Sequence, residues 1–206
     1  MLQIQHTTRH RSHARRGRGL SICVLVFAII CLLAGGYLLL LTVSPLVAPY
    51  VYTKPIDVKT LPKPHVQDNR IIIGKIGVNI PYGTDGKVSL DRGAWWRYPE
   101  RGNPADGGNF IIAAHRFSIQ PTPRGTIEKS PFYNIDKLAI GDDIVVDYKG
   151  ERYGYQITKI FDVRPDQTEI EAKTTDTRLT LYSCELGGSE AGRIVIVAQL
   201  KGKVAL

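Results

Sequence analysis

The strongest constraint on how this chain can fold is an apolar run without a single charge, Leu20–Val43 (LSICVLVFAIICLLAGGYLLLLTV). About 20 such residues cross the hydrocarbon core of a bilayer as one helix. A cleaved secretory signal is the rival explanation, with Leu46-Val-Ala-Pro49 as its cleavage region. However, the apolar part of a signal is usually only about 7–15 residues long, so an uncleaved anchor is expected. Orientation follows from charge. The first twenty residues hold five arginines (Arg9, Arg11, Arg15, Arg16, Arg18) and no acid. Positive flanks stay in the cytoplasm, so the bulk of the chain is expected outside.

The same five arginines qualify the net charge of +8, because without them the rest of the chain carries only +3. No basic stripe is left for nucleic acid, and none is expected as a partner. Four segments follow. Residues 1–19 form a basic cytoplasmic tail and 20–43 a transmembrane anchor. Residues 44–69 form an extracytoplasmic stalk kept extended by Pro45, Pro49, Pro55, Pro62 and Pro64, with an arm packed on the following domain as the alternative. A globular domain spans 70–206.

That domain reads as mainly β. Ile71–Ile80 is rich in β-branched residues and is expected to stop at Pro81. Asp143–Tyr148 and Arg152–Phe161 flank Lys149-Gly150, a hairpin signal. In the second arm Tyr153, Tyr155 and Ile157 alternate with Gly154, Gln156 and Thr158. Further strands end near Ser183 and run from Arg193 to Leu200. Ala94–Arg97 and Pro131–Leu138 are expected to make short helical turns. Short strands punctuated by Gly and Pro point to a closed β-barrel or a sandwich.

Residues able to do nucleophilic chemistry are scarce. Beyond about residue 70 there is one cysteine, Cys184, and one histidine, His115. Cys23 and Cys31 lie inside the apolar run, where cysteine acts as a small hydrophobe. A lone exported cysteine cannot form an internal disulfide. Only the thiolate is a good nucleophile, and about 3% of an ordinary thiol is ionised at pH 7. An imidazole that accepts the proton and a guanidinium that stabilises negative charge would complete the chemistry. Each of His115, Cys184 and Arg193 lies at or beside the end of an apolar, strand-like run. Taken singly each has an ordinary structural explanation; the combination points to catalysis.

These runs resemble the sortase family. Leu179-Thr-Leu-Tyr-Ser-Cys184 is similar to the signature Thr-Leu-x-Thr-Cys, with Ser183 where the family usually has Thr. Gly108–Arg116 resembles the apolar strand that ends in the family's catalytic His, and Arg193 heads Arg-Ile-Val-Ile-Val as the catalytic Arg does. The likeness extends through Ile76-Gly-Val-Asn-Ile-Pro81, Leu138-Ala-Ile-Gly-Asp142 and Tyr153-Gly-Tyr-Gln-Ile, in family order over residues 70–201. Ala114 departs from the usual Gly before the histidine, and Tyr182 fills the variable slot of the signature. The resemblance implies a closed eight-stranded β-barrel with short helices behind one transmembrane helix. It also implies a membrane-anchored cysteine transpeptidase with His115, Cys184 and Arg193 as catalytic residues. Its partners would be surface proteins bearing an LPxTG-like sorting signal and an amine acceptor, either a peptidoglycan precursor or a pilin lysine. Some family members bind calcium through loop acids, for which Asp166, Glu169 and Glu171 are the candidates here; no metal and no cofactor are expected. A papain-like enzyme is disfavoured because His115 precedes Cys184, and the caspase motif is absent. The alternative from another class is a non-catalytic anchored β-barrel that binds surface peptides.

Overall fold

The computed structural model describes residues 14–51 and 54–204, which divide into a first unit ending at Val43 and a second starting at Ser44. The first unit is helical. Helix α1, Ala14–Val51, contains the apolar span Ser21–Val43, none of which is buried within the protein. A helix that is apolar on all sides and covered by nothing suits a lipid environment. The backbone helix continues through Pro45 and Pro49, so these two prolines lie in helix rather than in extended chain.

In the second unit, residues 54–69 lie against the strands that follow. Ile56 N–H donates to the Gly74 carbonyl at 2.9 Å. Gly74 is needed there, because a Cβ would sit 2.4 Å from the Ile56 oxygen. Further along, Arg152 Nη2 donates to the Pro62 carbonyl at 3.0 Å and Lys149 N–H to Asn69 Oδ1 at 3.1 Å. This part of the proline-rich segment is therefore an arm held on the domain by bonds that it both donates and accepts.

The described residues form nine strands, and eight of them close the barrel. The first four are β1 (Arg70–Ile73), β2 (Val78–Gly83), β3 (Ala94–Arg97) and the two-residue β4 (Gly102–Asn103). After β5 (Gly107–Ala114) come β6 (Asp143–Tyr148), β7 (Glu151–Val163), β8 (Arg178–Glu185) and β9 (Gly188–Lys203). Their order is β3-β2-β1-β6-β7-β9-β8-β5, and pairing of β5 with β3 closes the ring, while β4 only extends β5. The pairs β2–β3 and β5–β8 are parallel and the other pairs of the ring antiparallel. An eight-stranded barrel is just wide enough for side chains to fill it. The filling here includes Ile71, Phe110, Ile112, Tyr155, Leu179, Leu181 and Ile196, all buried.

Two local expectations are corrected. Ile71–Ile80 is not one strand: β1 turns through a short 3-10 helix, Gly74–Ile76, and Gly77 at φ 67° before β2 returns antiparallel and runs past Pro81 to Gly83. Ala94–Arg97 is a strand, not a helical turn, with Ala94 and Trp96 facing the core in period two. In Pro131–Leu138 a 3-10 turn forms over Ile135–Lys137.

Asp147 and Arg152, on either side of the β6–β7 turn, form a buried two-point ion pair at 2.7 and 2.8 Å. Removing one partner strands the other charge in a site closed to water. Asp147→Ala is expected to cost about 3–5 kcal/mol of unfolding free energy, measured by guanidinium denaturation of the detergent-solubilised chain.

Candidate active site

The pairing of β5 with β8 decides where His115 and Cys184 lie. The two strands run parallel, with Ala113 opposite Tyr182. Two residues further along each strand come His115 and Cys184, so the register brings both to one edge of the barrel. On the other side of β8, Cys184 lies opposite Arg193 of β9. Side chains alternate across a strand. Ile112, Ala114, Leu181, Ile194 and Ile196 point into the barrel. Ile111, Ala113, Tyr182, Val195 and Val197 form a separate cluster on its outer face. Period two then puts His115, Cys184 and Arg193 on that outer face as well. The three residues named from sequence thus emerge on one face of three neighbouring strands.

Arg193 Nη1 is 3.9 Å from Cys184 Sγ, and it also donates to the carbonyls of Ser189 at 3.1 Å and Gly192 at 3.3 Å. The guanidinium is thereby fixed at the turn while facing the sulfur. Both Cys184 and Arg193 are half-buried, so a substrate can reach them. One step inward, Ser183 donates its hydroxyl to the Ala114 carbonyl at 2.8 Å. This buried bond ties the last residue before Cys184 to the last residue before His115.

The hydrogen-bond partner of His115 escaped the sequence reading. Its Nε2 lies 3.5 Å from Asp91 Oδ1 on α2, Lys87–Arg92. Lys87 Nζ reaches the other Asp91 oxygen at 2.7 Å, and Lys129 Nζ donates to the Asp91 carbonyl. The bond from Lys87, with the smaller contribution of His115, holds the Asp91 carboxyl below the usual carboxylate range. An anion at Asp91 favours an imidazole oriented toward it, which orients the ring at the mouth of the site.

One wall over the outer face is the β7–β8 connection, whose short 3-10 helix is Glu169–Glu171. Glu171, named above among the calcium candidates, is buried and already held by protein groups. Arg97 Nε lies 2.8 Å from one carboxylate oxygen, and Tyr182 donates its hydroxyl to that same oxygen at 2.5 Å. Burial, then the bond to Glu171, pushes the Tyr182 hydroxyl far above its ordinary pKa, so it stays a donor. Arg97 also stacks on Trp95 with its guanidinium 4.5 Å from the ring centre. Asn109 completes the fastening by donating to the carbonyls of Ile170 and Ala172 at 3.1 and 2.8 Å. Arg97 carries no motif of its own, and Asn109, although it stands in the run that leads to His115, shows no such role in the sequence; both become visible only once β3 and β5 are paired.

Comparison with known proteins bears on the family and the fold. A family model described as a sortase domain matches residues 71–201. Similar solved structures include a Clostridium perfringens sortase D5 transpeptidase, 29% identical with a TM-score of 0.52 over 66% of this chain and 79% of that one. Listeria monocytogenes sortase A is 23% identical with a TM-score of 0.51, over 66% of this chain and 90% of that one. Streptococcus agalactiae sortase C1, solved with MTSET, is 23% identical with a TM-score of 0.56, over 66% of this chain and 68% of that one. The last two bear on the fold alone. No match is found among curated proteins.

The Glu171 fastening makes a local prediction. Arg97→Met leaves a buried carboxylate without its cation, and the loop should open more often. Amide exchange at Ile170–Ala172 is expected to quicken roughly 10–100-fold, from the loss of about 1–3 kcal/mol. Glu171→Gln, which keeps an acceptor for Tyr182, should show a smaller effect.

Proposed function

This chain belongs to the sortase family of cysteine transpeptidases, and on that premise we propose that it cuts an LPxTG-like sorting signal between Thr and Gly through a thioester on Cys184. The supporting observation is the 3.9 Å approach of Arg193 Nη1 to Cys184 Sγ on the outer, accessible face of the barrel. The barrel interior is packed with apolar side chains, so a peptide has only that face to lie on.

The Cys184 thiolate attacks the Thr carbonyl carbon, and the carbonyl π-bond opens to an oxyanion. Arg193 stabilises the developing negative charge without surrendering a proton. As the C–N bond breaks, protonated His115 gives its proton to the departing glycine amine. The enzyme is left as a thioester with a neutral imidazole. An incoming amine then attacks the thioester carbonyl, His115 takes the proton it releases, and the Cys184 thiolate leaves. A new amide bond replaces the old one, and the site returns to its starting protonation. The acceptor amine belongs to a peptidoglycan precursor or a pilin lysine. Thioester chemistry suits this exchange because the acyl group stays activated while one amine replaces another.

In the same reading α1 anchors the enzyme, with the five N-terminal arginines in the cytoplasm and residues 70–206 outside. The proteins it acts on would then pass the membrane carrying their sorting signals and meet the site at the surface.

The test is mass spectrometry of the detergent-solubilised chain with a panel of LPxTG-like peptides, with and without hydroxylamine as surrogate amine. The expected products are a thioester on Cys184 and a hydroxamate ending at Thr. Cys184→Ala should form neither, and His115→Ala should slow turnover about 10²–10⁴-fold. Hydroxamate from Cys184→Ala would overturn the assignment of the nucleophile.

A further inference from the structure

Immediately beyond the proposed reacting pair sits a charge that the mechanism does not use. Arg116 follows His115, and its side chain is only 6% exposed. Its Nη1 donates to Glu185 Oε2 at 2.8 Å, and its Nη2 lies 3.2 Å from Asp136 Oδ1. Glu185 is the residue after Cys184. One guanidinium therefore joins the residue following the histidine to the residue following the cysteine.

The backbone does not make this connection. The last paired residues of β5 and β8 are Ala113 and Tyr182, so the ladder has ended where His115 and Cys184 stand. On the far side of β8, the register with β9 breaks between Cys184 and Glu185. What spans the gap is side chains: Ser183 to the Ala114 carbonyl on the inner side and Arg116 to Glu185 beyond the pair. The third strut is the segment carrying Asp136, whose Phe132 N–H donates to the His115 carbonyl at 3.1 Å.

Charge makes the same contact matter. A free carboxylate beside a thiol opposes its ionisation. Around Cys184 the charged groups are Glu185 on its own strand, Arg193 on β9, and His115 and Arg116 directly after β5. Asp91 of α2 acts through His115 and is itself held by Lys87 and Lys129, and Glu190 lies exposed in the β8–β9 turn. Of the two acids in the chain segment that carries Cys184, Glu185 is the adjacent one. Its charge is matched by Arg116, which leaves Arg193 available to the sulfur and the substrate.

We infer that Arg116 is a positioning residue: by holding Glu185 and Asp136 it fixes Cys184 relative to His115 and neutralises the carboxylate next to the nucleophile. The role of that pair rests on the function proposed above. The residue does not touch the reacting atoms; it acts through its neighbours.

The experiment compares Arg116→Met, Arg116→Lys, Glu185→Gln and the double variant Arg116→Met/Glu185→Gln in the full detergent-solubilised chain. It reads the pH profile of Cys184 alkylation by iodoacetamide together with kcat and KM on a cleaved peptide. Arg116→Met should move the alkylation midpoint upward by roughly one pH unit and lower kcat about tenfold or more, with KM little changed. The double variant should return the midpoint toward that of the unmodified chain, because the uncompensated carboxylate is gone, while kcat stays low. Arg116→Lys keeps the charge without the two-pronged geometry, so its midpoint should hold and its kcat should recover only in part. Glu185→Gln removes no buried cation and serves if Arg116→Met does not fold; its midpoint should not rise, and its kcat should fall through the weakened brace. A folded Arg116→Met with unaltered midpoint and kcat would overturn the inference, as would equal midpoints in the single and double variants. Unchanged kcat in Glu185→Gln would do the same. Alkylation needs no sorting peptide, so a chain that cleaves none of the panel would count against the function while the midpoints still judged the brace.

Discussion

The arrangement of this domain depends on one pairing, the parallel contact of β5 with β8 in a register that sets Ala113 beside Tyr182. In a parallel pair, residues at one level lean the same way, so the strands deliver His115 and Cys184 together to one face. A slip of a single residue would turn one of them into the barrel interior. Buried side chains guard against that slip. Phe110 and Ile112 stand beside Leu179 and Leu181 in filling the interior, with Ala114 beyond them, and Thr180 donates to Asn109 Oδ1 at 2.6 Å across the two strands on the outside. The antiparallel partner β9 then sets Arg193 opposite Cys184. Three side chains from distant parts of the sequence are brought together by the pleat of a closed sheet.

Buried charge does a different job. Where the polypeptide leaves the barrel wall and must still be held in place, an ion pair appears. Arg152, paired with Asp147, also donates to Pro62 of the arm. Arg97, paired with Glu171, holds the β7–β8 connection, helped by Tyr182, and Arg101 donates to the Glu171 carbonyl at 2.5 Å. Arg116 spans the strand ends beyond His115 and Cys184. Burying such pairs brings little net stability, because desolvation offsets most of the attraction. Their directional bonds fix one geometry where apolar packing alone would allow several. Arginine suits all three places because its fork reaches two partners at once.

What could be seen in the sequence divides along the same line. The barrel strands were legible wherever apolar and polar residues alternate or β-branched residues cluster, as in Asp143–Tyr148 and Arg152–Phe161. His115 and Cys184 stood out as the single residues of their types beyond about residue 70, whereas Arg193, one of many arginines, was singled out by the strand it heads and by the family likeness. Ala94–Arg97 was misread because Ala-Trp-Trp-Arg has no strong local preference; pairing with β5, which sets Trp96 into the core beside Phe110, makes it a strand. Ile71–Ile80 was misread because its turn hides in Gly74 and Gly77, two isolated glycines in an isoleucine-rich stretch. Asp91, Arg97 and Arg116 stayed hidden for another reason. Charged residues are usually solvated, and only tertiary contact distinguishes these three from the remaining acids and bases.

This division has a consequence for how such an enzyme can vary. The interior of this barrel is full, and on its outer face the strands contribute a floor of Ile111, Ala113, Tyr182 and Val195, against which Tyr98, Val163 and Ile170 pack. The floor is fixed by register and cannot shift without disturbing the core on the other side of the same strands. The wall is the β7–β8 connection, anchored by Glu171 and by two bonds from Asn109 but free of the barrel ladder. Tyr182 belongs to both: it is part of the floor one row below Cys184 and a donor to the wall. A substitution at Tyr182 therefore alters the wall and the floor together, whereas changes in the connection reshape the wall and leave Cys184 and Arg193 where the barrel holds them.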